Sequence, residues 1–203
     1  MVPELGQFTL ALALMASLAL GILGLVGPHS GYLLWSRMAR PLALLAFLFL
    51  ATSFVCLTWS FVTSDFSVAY VAQHSNTQLP MEYRFGAVWG GHEGSLLLWV
   101  LILSGWTAAV ALFSRSLPVE MVSRVLGVLG LIAFGFTLFI LFTSNPFSRL
   151  LPAVMEGRDL NPLLQDPGLV YHPPMLYMGY VGFSVAFAFA IAALMSGHLD
   201  SAW

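Results

Sequence analysis

The eighteen residues VLGVLGLIAFGFTLFILF, positions 125–142, decide the fold class of this chain. They contain no ionisable side chain. A helix needs ~20 mainly apolar residues to cross the hydrocarbon core of a membrane, and four further runs approach that length. The sequence therefore predicts an all-α protein, a polytopic transmembrane helix bundle with about five spans. The predicted spans are residues 8–26, 42–62, 95–113, 125–142 and 175–194.

The composition also indicates that a membrane is the solvent of this chain. Of the 203 residues, 59% are hydrophobic and 8% are charged, which leaves too little polar surface for a soluble domain of that size. Every basic residue is an arginine, and these form no basic cluster, so nucleic acid is excluded as a main partner. The single cysteine, Cys56, excludes an internal disulfide, a CxxC redox motif and a thiolate metal site.

The connections between the predicted spans alternate in length and charge. The two short connections carry arginines, Arg37 with Arg40 and Arg115 with Arg124. By the positive-inside rule the short loops lie in the cytoplasm, whereas the N-terminus and both long loops lie on the opposite face. The long loops are residues 63–94 and 143–174.

Prolines and glycines predict where the helices end and how they pack. Pro28 and Pro41 bracket the first short loop, and Asn145-Pro146 ends the fourth span, because proline lacks the N–H of a helical hydrogen bond. Glycines within the spans permit the close helix packing that is typical in lipid. These glycines are Gly127, Gly130, Gly179 and Gly182.

The stretch VWGGHEGSLLLWVL, residues 88–101, places two ionisable side chains at the head of the third span. His92 and Glu93 are either solvated interface residues or parts of a site that faces a cavity. The HExxH zinc motif is excluded, because Leu96 stands where the second histidine would be. The residues alone leave the first two interpretations open.

The stretch DPGLVYHPPMLYMGY, residues 166–180, places one histidine just before the fifth span. Pro173 disfavours the helical region for the residue before it, so we expect His172 to lie on extended backbone. An imidazole held in this way can offer a nitrogen to a metal with little ordering cost. The alternative is a hydrogen-bonded histidine at the membrane interface.

Three stretches together resemble the N-terminal part of the CcmF/NrfE/CcsA family of cytochrome c haem lyases. They are MVPELGQFTLALAL, GHEGSLLLWVL and GRDLNPLLQDPGLVYHPPMLYMGYVGFSVAFAFAIAAL. The resemblance implies a protein of the bacterial inner membrane that presents haem b at the periplasmic face for thioether attachment to apocytochrome c. It also implies that His172 is an axial ligand of the haem iron. The expected supporting residues are Tyr171, Tyr177, Pro173 and Pro174, with His92 and Glu93 near the site but not bonded to iron.

The family's tryptophan-rich WWD segment is absent from these 203 residues. The second axial ligand is expected outside this chain as well. The resemblance therefore implies a fragment, a truncated product or one subunit of a split lyase, which in plants would lie in the mitochondrial inner membrane. Whether the chain is an enzyme by itself stays open, since it lacks the complete site. His198 matches no ligand of the family and is interpreted as a solvated residue.

The resemblance also implies a set of partners, and two other classes of function compete with it. The implied partners are the haem chaperone CcmE, CcmH, apocytochrome c, the remainder of the lyase and membrane lipid. A transporter or channel subunit, for haem or another small molecule, would place ionisable residues within its spans, and the middles of the five predicted spans contain none. A purely structural membrane scaffold fits the composition equally well, but it does not explain the motifs.

Overall fold

The structure is a computed structural model that describes residues 1–197. Within that part the chain forms seven α-helices and no strand, which confirms the all-α prediction. Five of these helices are long and apolar enough to cross a membrane: α1, α2, α5, α6 and α7. The helices are α1 (Val2–Ser30), α2 (Leu33–Val62), α3 (Ala69–His74), α4 (Met81–Ala87), α5 (His92–Phe113), α6 (Val119–Thr143) and α7 (Pro167–Ser196). His198 lies outside the described residues.

The long helices extend beyond the predicted spans at one or both ends. Helix α6 ends at Thr143, just before Asn145-Pro146, as the sequence predicts. The two long loops are not free of structure, because α3 and α4 lie in the first of them and a 3-10 turn, Pro162–Leu164, lies in the second. Both loops are also shorter than predicted, since α5 and α7 begin inside the stretches assigned to them.

Pro28 and Pro41 lie within α1 and α2, so the prediction that they bracket the first loop is wrong. Proline at position 28 cannot donate to the carbonyl of Gly24, four residues earlier. The hydroxyl of Ser123 on α6 donates to that oxygen instead, at 3.0 Å. A side chain of a neighbouring helix thus replaces the hydrogen bond that the proline removes.

Helices α1, α2 and α6 form the tightly packed part of the bundle. Gly24 and Gly127 let α1 and α6 approach backbone to backbone, since a methyl group at Gly24 would lie 2.7 Å from Gly127 Cα. At Gly130 a methyl group would lie 2.8 Å from Leu20 Cγ. Small residues at such crossings maximise van der Waals contact where lipid gives helices no hydrophobic reason to associate. The packing role predicted for Gly127 and Gly130 is therefore confirmed.

Helix α7 packs differently, and its glycines show this. A methyl group at Gly179 would meet nothing within 4 Å, so the prediction of close packing there is wrong. At Gly182 the nearest atoms belong to the indole of Trp106 on α5, at the ordinary contact distance of 3.6 Å. Helix α7 is thus a peripheral helix that touches the bundle mainly along α5 and α6.

The two long loops come together at one end of the bundle. Val68 and Arg149 form an isolated antiparallel bridge, and the Arg158 N–H donates to the Ala72 carbonyl at 2.7 Å. Arg149 also forms an ion pair with Glu4 at 2.6 Å, which brings the start of α1 to the same end. The N-terminus and both long loops therefore lie at the same end of the bundle.

At the opposite end of the bundle, which has the two short connections, Arg40 forms hydrogen bonds between two helices. Arg40 donates from Nη1 to the Ala111 carbonyl at 2.6 Å and from Nη2 to the Ser114 carbonyl at 2.9 Å. These oxygens lie at the C-terminus of α5, where helix carbonyls lack intrahelical donors and a cation is favourable. Arg40 therefore joins α2 to the end of α5.

Candidate functional site

The corner between α4 and α5 carries the VWGGHEG stretch and is built around a buried tyrosine. Tyr70 of α3 is 3% exposed, and its hydroxyl accepts the Gly91 N–H at 3.0 Å and donates to the Val88 carbonyl at 3.1 Å. Burial raises the pKa of the Tyr70 phenol, so it stays a neutral donor. A methyl group at Gly94 would lie 1.7 Å from the Val88 oxygen, so only glycine fits this corner.

His92 and Glu93 begin α5 directly after that corner. The His92 Nδ1 atom lies 3.1 Å from the Ser144 hydroxyl, which follows the end of α6, and the imidazole meets the ring of Phe139 edge to face. His92 is nevertheless exposed, and Glu93 is half-buried in the first turn, where a carboxylate is favourable at the helix N-terminus. The third span thus begins three residues earlier than predicted.

A pocket of about 340 Å³ opens between the head of α5 and α7. Two of the sequence-predicted residues, His92 and Tyr177, contribute to its wall, and the Tyr177 hydroxyl is bonded to the Ser95 hydroxyl at 2.6 Å. Glu93, Tyr171 and His172 are not part of this wall. The pocket is lined by Trp89, Gly90, Gly91, His92, Ser95, Leu96, Trp99 and Tyr177.

The expectation that His172 lies on extended backbone is wrong. Helix α7 begins at Pro167, and the Asp166 carboxylate accepts the Gly168 N–H at 2.6 Å as the N-cap. His172 therefore lies in the second turn of α7, and Pro173 with Pro174 are inside the helix. The rule that a residue before proline avoids helical geometry is overridden here, and the helix continues through two residues that lack an N–H donor.

The side chain of His172 is exposed on the outer face of α7. Tyr171 is 71% exposed and Tyr180 is 67% exposed, and Met175 and Leu176 are exposed beside them. Tyr177 points the other way, toward α5, so the structure separates it from the exposed tyrosines. One imidazole amid an apolar and aromatic surface is the chemistry that one side of a haem requires.

The donor set fits a haem better than a bare metal ion. Across residues 1–197, no group of three or more His, Cys, Asp or Glu side chains is placed to hold a metal ion. A haem needs only one or two protein nitrogens, since the porphyrin supplies the other four ligands. The exposed His172 therefore fits the role of a single axial ligand.

Five helices that are long and apolar enough to cross a membrane define the class of this chain, a multi-pass membrane protein. Residues 89–201, just over half of the chain, match the family described as cytochrome C assembly protein, and the chain belongs to that family. It is 64% identical over its whole length to the cytochrome c-type biogenesis protein CcmF of Pseudomonas aeruginosa and 59% identical to that of Escherichia coli. These matches cover 31% and 32% of the two relatives, so the chain spans about a third of their length.

The fold is also found in a solved structure. The protein titled "Cytochrome c Heme Lyase CcmF" superposes on 99% of this chain with a TM-score of 0.86 and 30% sequence identity. The match covers 32% of that protein. The resemblance inferred from the sequence motifs is therefore confirmed at the level of sequence, family and fold.

Sequence reasoning missed the residues that hold the site in place. Tyr70 lies in the predicted loop 63–94 without any distinguishing neighbour in sequence, and Ser144 is one serine among many. Trp89 lies inside the quoted stretch VWGGHEGSLLLWVL, but nothing in that stretch indicates its partner. Its indole N–H donates to the Leu169 carbonyl at 2.8 Å, which joins the corner before α5 to the first turn of α7.

Proposed function

We propose that this chain is the haem-binding part of a cytochrome c-type biogenesis protein, with His172 as an axial ligand of haem b. One observation carries the proposal: His172 is exposed in the second turn of α7, beside exposed tyrosine, methionine and leucine side chains. The second axial ligand and the WWD segment come from outside this chain. The family membership and the names of the relatives support this assignment.

The protein's own contribution is binding and orientation. His172 would bind the haem iron through one imidazole nitrogen. The exposed side chains of Tyr171, Met175 and Tyr180 would offer apolar surface to the porphyrin. Bound haem supplies the vinyl groups to which the two thiols of an apocytochrome add. His92 and Glu93, at the head of α5, support the site without a bond to iron. This chain needs no nucleophile of its own, because the thiols belong to the apocytochrome.

The proposal includes an orientation and a set of partners. The end with both long loops faces the periplasm of a bacterial inner membrane, and the end with Arg40 faces the cytoplasm. Haem arrives from the chaperone CcmE, and CcmH with apocytochrome c approaches the same periplasmic end. The remainder of the lyase is a further partner. Reporter fusions near Thr77 and Glu156 should show periplasmic activity, and fusions near Arg37 and Arg115 should show cytoplasmic activity. A periplasmic signal at Arg115 contradicts the orientation.

The decisive test of function uses a chimeric lyase, the Pseudomonas aeruginosa relative in which this chain replaces the stretch that it matches. His172→Ala should abolish the low-spin haem spectrum and cytochrome maturation, and imidazole in solution should partly restore haem binding by filling the vacated position. His29→Ala is the matched control, because His29 is also exposed but lies at the other end of the bundle. Full haem content and normal maturation in His172→Ala contradict the proposal.

The supporting role of His92 has its own variant. His92→Ala loses the contact with the Ser144 hydroxyl, so haem yield should fall. The shape of the low-spin spectrum should not change, since the iron ligands are intact. Loss of axial ligation in His92→Ala would instead make His92 a ligand, and unchanged haem yield would make it an interface residue.

A further inference from the structure

The first two turns of α7 contain carbonyl groups that the helix cannot satisfy in the usual way. In an α-helix the N–H of residue 173 donates to the carbonyl of residue 169. Position 173 is proline, so the Leu169 carbonyl loses that donor. A carbonyl left without a partner destabilises the turn that contains it, and this turn leads directly into His172.

Trp89 supplies the missing donor. Its indole Nε1 lies 2.8 Å from the Leu169 oxygen, which is the distance of a good hydrogen bond. The indole itself is held by the ring of Phe54, stacked at 6.4 Å between centroids with an angle of 14°. The donor is therefore fixed by α2 and by the corner before α5, and not by α7.

The side chains of the same turn pack on the same corner. A methyl group at Gly86, at the end of α4, would lie 3.3 Å from Val170 Cγ2 and 3.6 Å from Leu169 Cδ2. Both the backbone and the side chains of the first turn of α7 thus contact residues 86–89. The position of His172 in space depends on this contact, because the turn lies immediately before it.

A second proline in this chain shows the same arrangement. Pro28 removes the donor to the Gly24 carbonyl, and the Ser123 hydroxyl of another helix donates to that oxygen at 3.0 Å. In both places a side chain distant in sequence replaces the N–H that proline lacks. The bond at Leu169 therefore has a parallel in α1.

We infer that Trp89 is a positioning residue: its indole N–H replaces the donor that Pro173 lacks, and so fixes the turn that aims His172. The part of this inference that concerns haem rests on the proposed function. The part that concerns the turn does not.

The test is a double-substitution cycle with two readouts. Trp89→Phe removes the N–H and keeps an aromatic ring against Phe54. Pro173→Ala gives position 173 an N–H that can donate to the Leu169 carbonyl. The readouts are amide hydrogen exchange at residues 168–176 in this chain without haem, and the haem dissociation constant of the chimeric lyase.

Trp89→Phe should speed exchange at residues 168–176 and weaken haem binding, each by about five- to tenfold, as the loss of one hydrogen bond predicts. In the Pro173→Ala background the same substitution should have little effect on either readout. Trp106→Phe is the matched control. Trp106 donates to the Met178 carbonyl at 3.0 Å. That carbonyl still has its helical donor, because Gly182, four residues later, has an N–H.

The outcomes separate this inference from the proposed function. The inference that Trp89 replaces the donor that Pro173 lacks is overturned by either of two results. One is unchanged exchange in Trp89→Phe, and the other is an equal effect of Trp89→Phe with proline or alanine at position 173. Faster exchange with unchanged haem affinity overturns the positioning role if His172→Ala still loses haem. If His172→Ala keeps its haem, the proposed function fails, and the exchange data alone still decide whether Trp89 holds the turn.

Discussion

Helix α1 and helix α7 have similar lengths and apolar compositions, yet they are held in the bundle by different interactions. In their most apolar stretches, 44% of the residues are buried in α1 but 22% in α7. Helix α1 contacts α6 through glycines that bring the backbones together. Within residues 1–197, side-chain hydrogen bonds connect α7 to α5 and its preceding corner at Trp89–Leu169, Ser95–Tyr177 and Trp106–Met178.

The difference has a physical reason and a functional consequence. In lipid, helices associate by close packing and by interhelical hydrogen bonds, because the hydrophobic effect does not favour protein contacts over lipid contacts. Close packing buries a helix face, whereas a few hydrogen bonds hold a helix and leave its outer face open. Helix α7 presents His172 on such an open face, whereas the exposed histidine of α1, His29, lies at the opposite end of the bundle.

The largest expected effect comes from filling the contact between α1 and α6. Gly24→Ala places a methyl group 2.7 Å from Gly127 Cα, so the backbones must separate. Overpacking of this kind costs about 1–3 kcal/mol of unfolding free energy, which denaturation in detergent measures. The matched control is Gly179→Ala, where the new methyl group meets nothing within 4 Å. Equal losses at the two positions would contradict the division of the bundle into two kinds of packing.

A smaller effect should follow from removing one bond between α5 and α7. Tyr177→Phe deletes the hydroxyl that contacts Ser95 at 2.6 Å and should cost about 1 kcal/mol. Combination with Ser95→Ala should add little, since both changes remove the same bond. Hydrogen exchange should increase in α7 and stay unchanged in α1. Thr52→Ala, which removes a local bond to the Leu48 carbonyl on an exposed face, serves as the control. A faster exchange in α1 argues against local attachment of α7.

The smallest effect concerns the loops above the bundle and depends on pH. Hydrogen bonds from the hydroxyl and N–H of Thr77 lower the pKa of the Glu156 carboxyl. The folded state then favours the ionised form, so this contact stabilises the loops above the unfolded pKa and is lost as the pH falls through the lowered one. Protease cleavage near Glu156 should therefore accelerate on acidification. In Glu156→Gln this acceleration should be weaker, and in Glu120→Gln, at the other end, it should persist. An unchanged acid response in Glu156→Gln refutes the linkage.

The sequence predicted the five spans and the family because both depend on local signals. Apolar runs of sufficient length identify helices without any tertiary contact, and the motifs around His92 and His172 are contiguous. The burial of Gly127 and Gly130 followed from the same local reasoning. Gly179 did not, because whether a glycine packs depends on which helix lies opposite, and residue type gives no sign of that.

Two of the errors at the prolines, Pro28 and Pro173, have a common cause. Pro28 and Pro173 are helix breakers by local rules, yet both lie inside helices. Their lost hydrogen bonds are replaced by Ser123, which is 99 residues from Gly24, and by Trp89, which is 80 residues from Leu169. Donors at such distances along the chain become visible only when the helices are assembled.

The claim that His172 binds haem iron from the open face of α7 is tested most directly by pulsed electron paramagnetic resonance of the oxidised chimeric lyase. Histidine labelled with ¹⁵N in the imidazole should give a strong hyperfine coupling to the low-spin iron. That coupling should be lost together with the low-spin signal in His172→Ala and remain in His92→Ala and His29→Ala. An identical coupling in the wild-type chimera and His172→Ala would show that the iron ligands lie elsewhere.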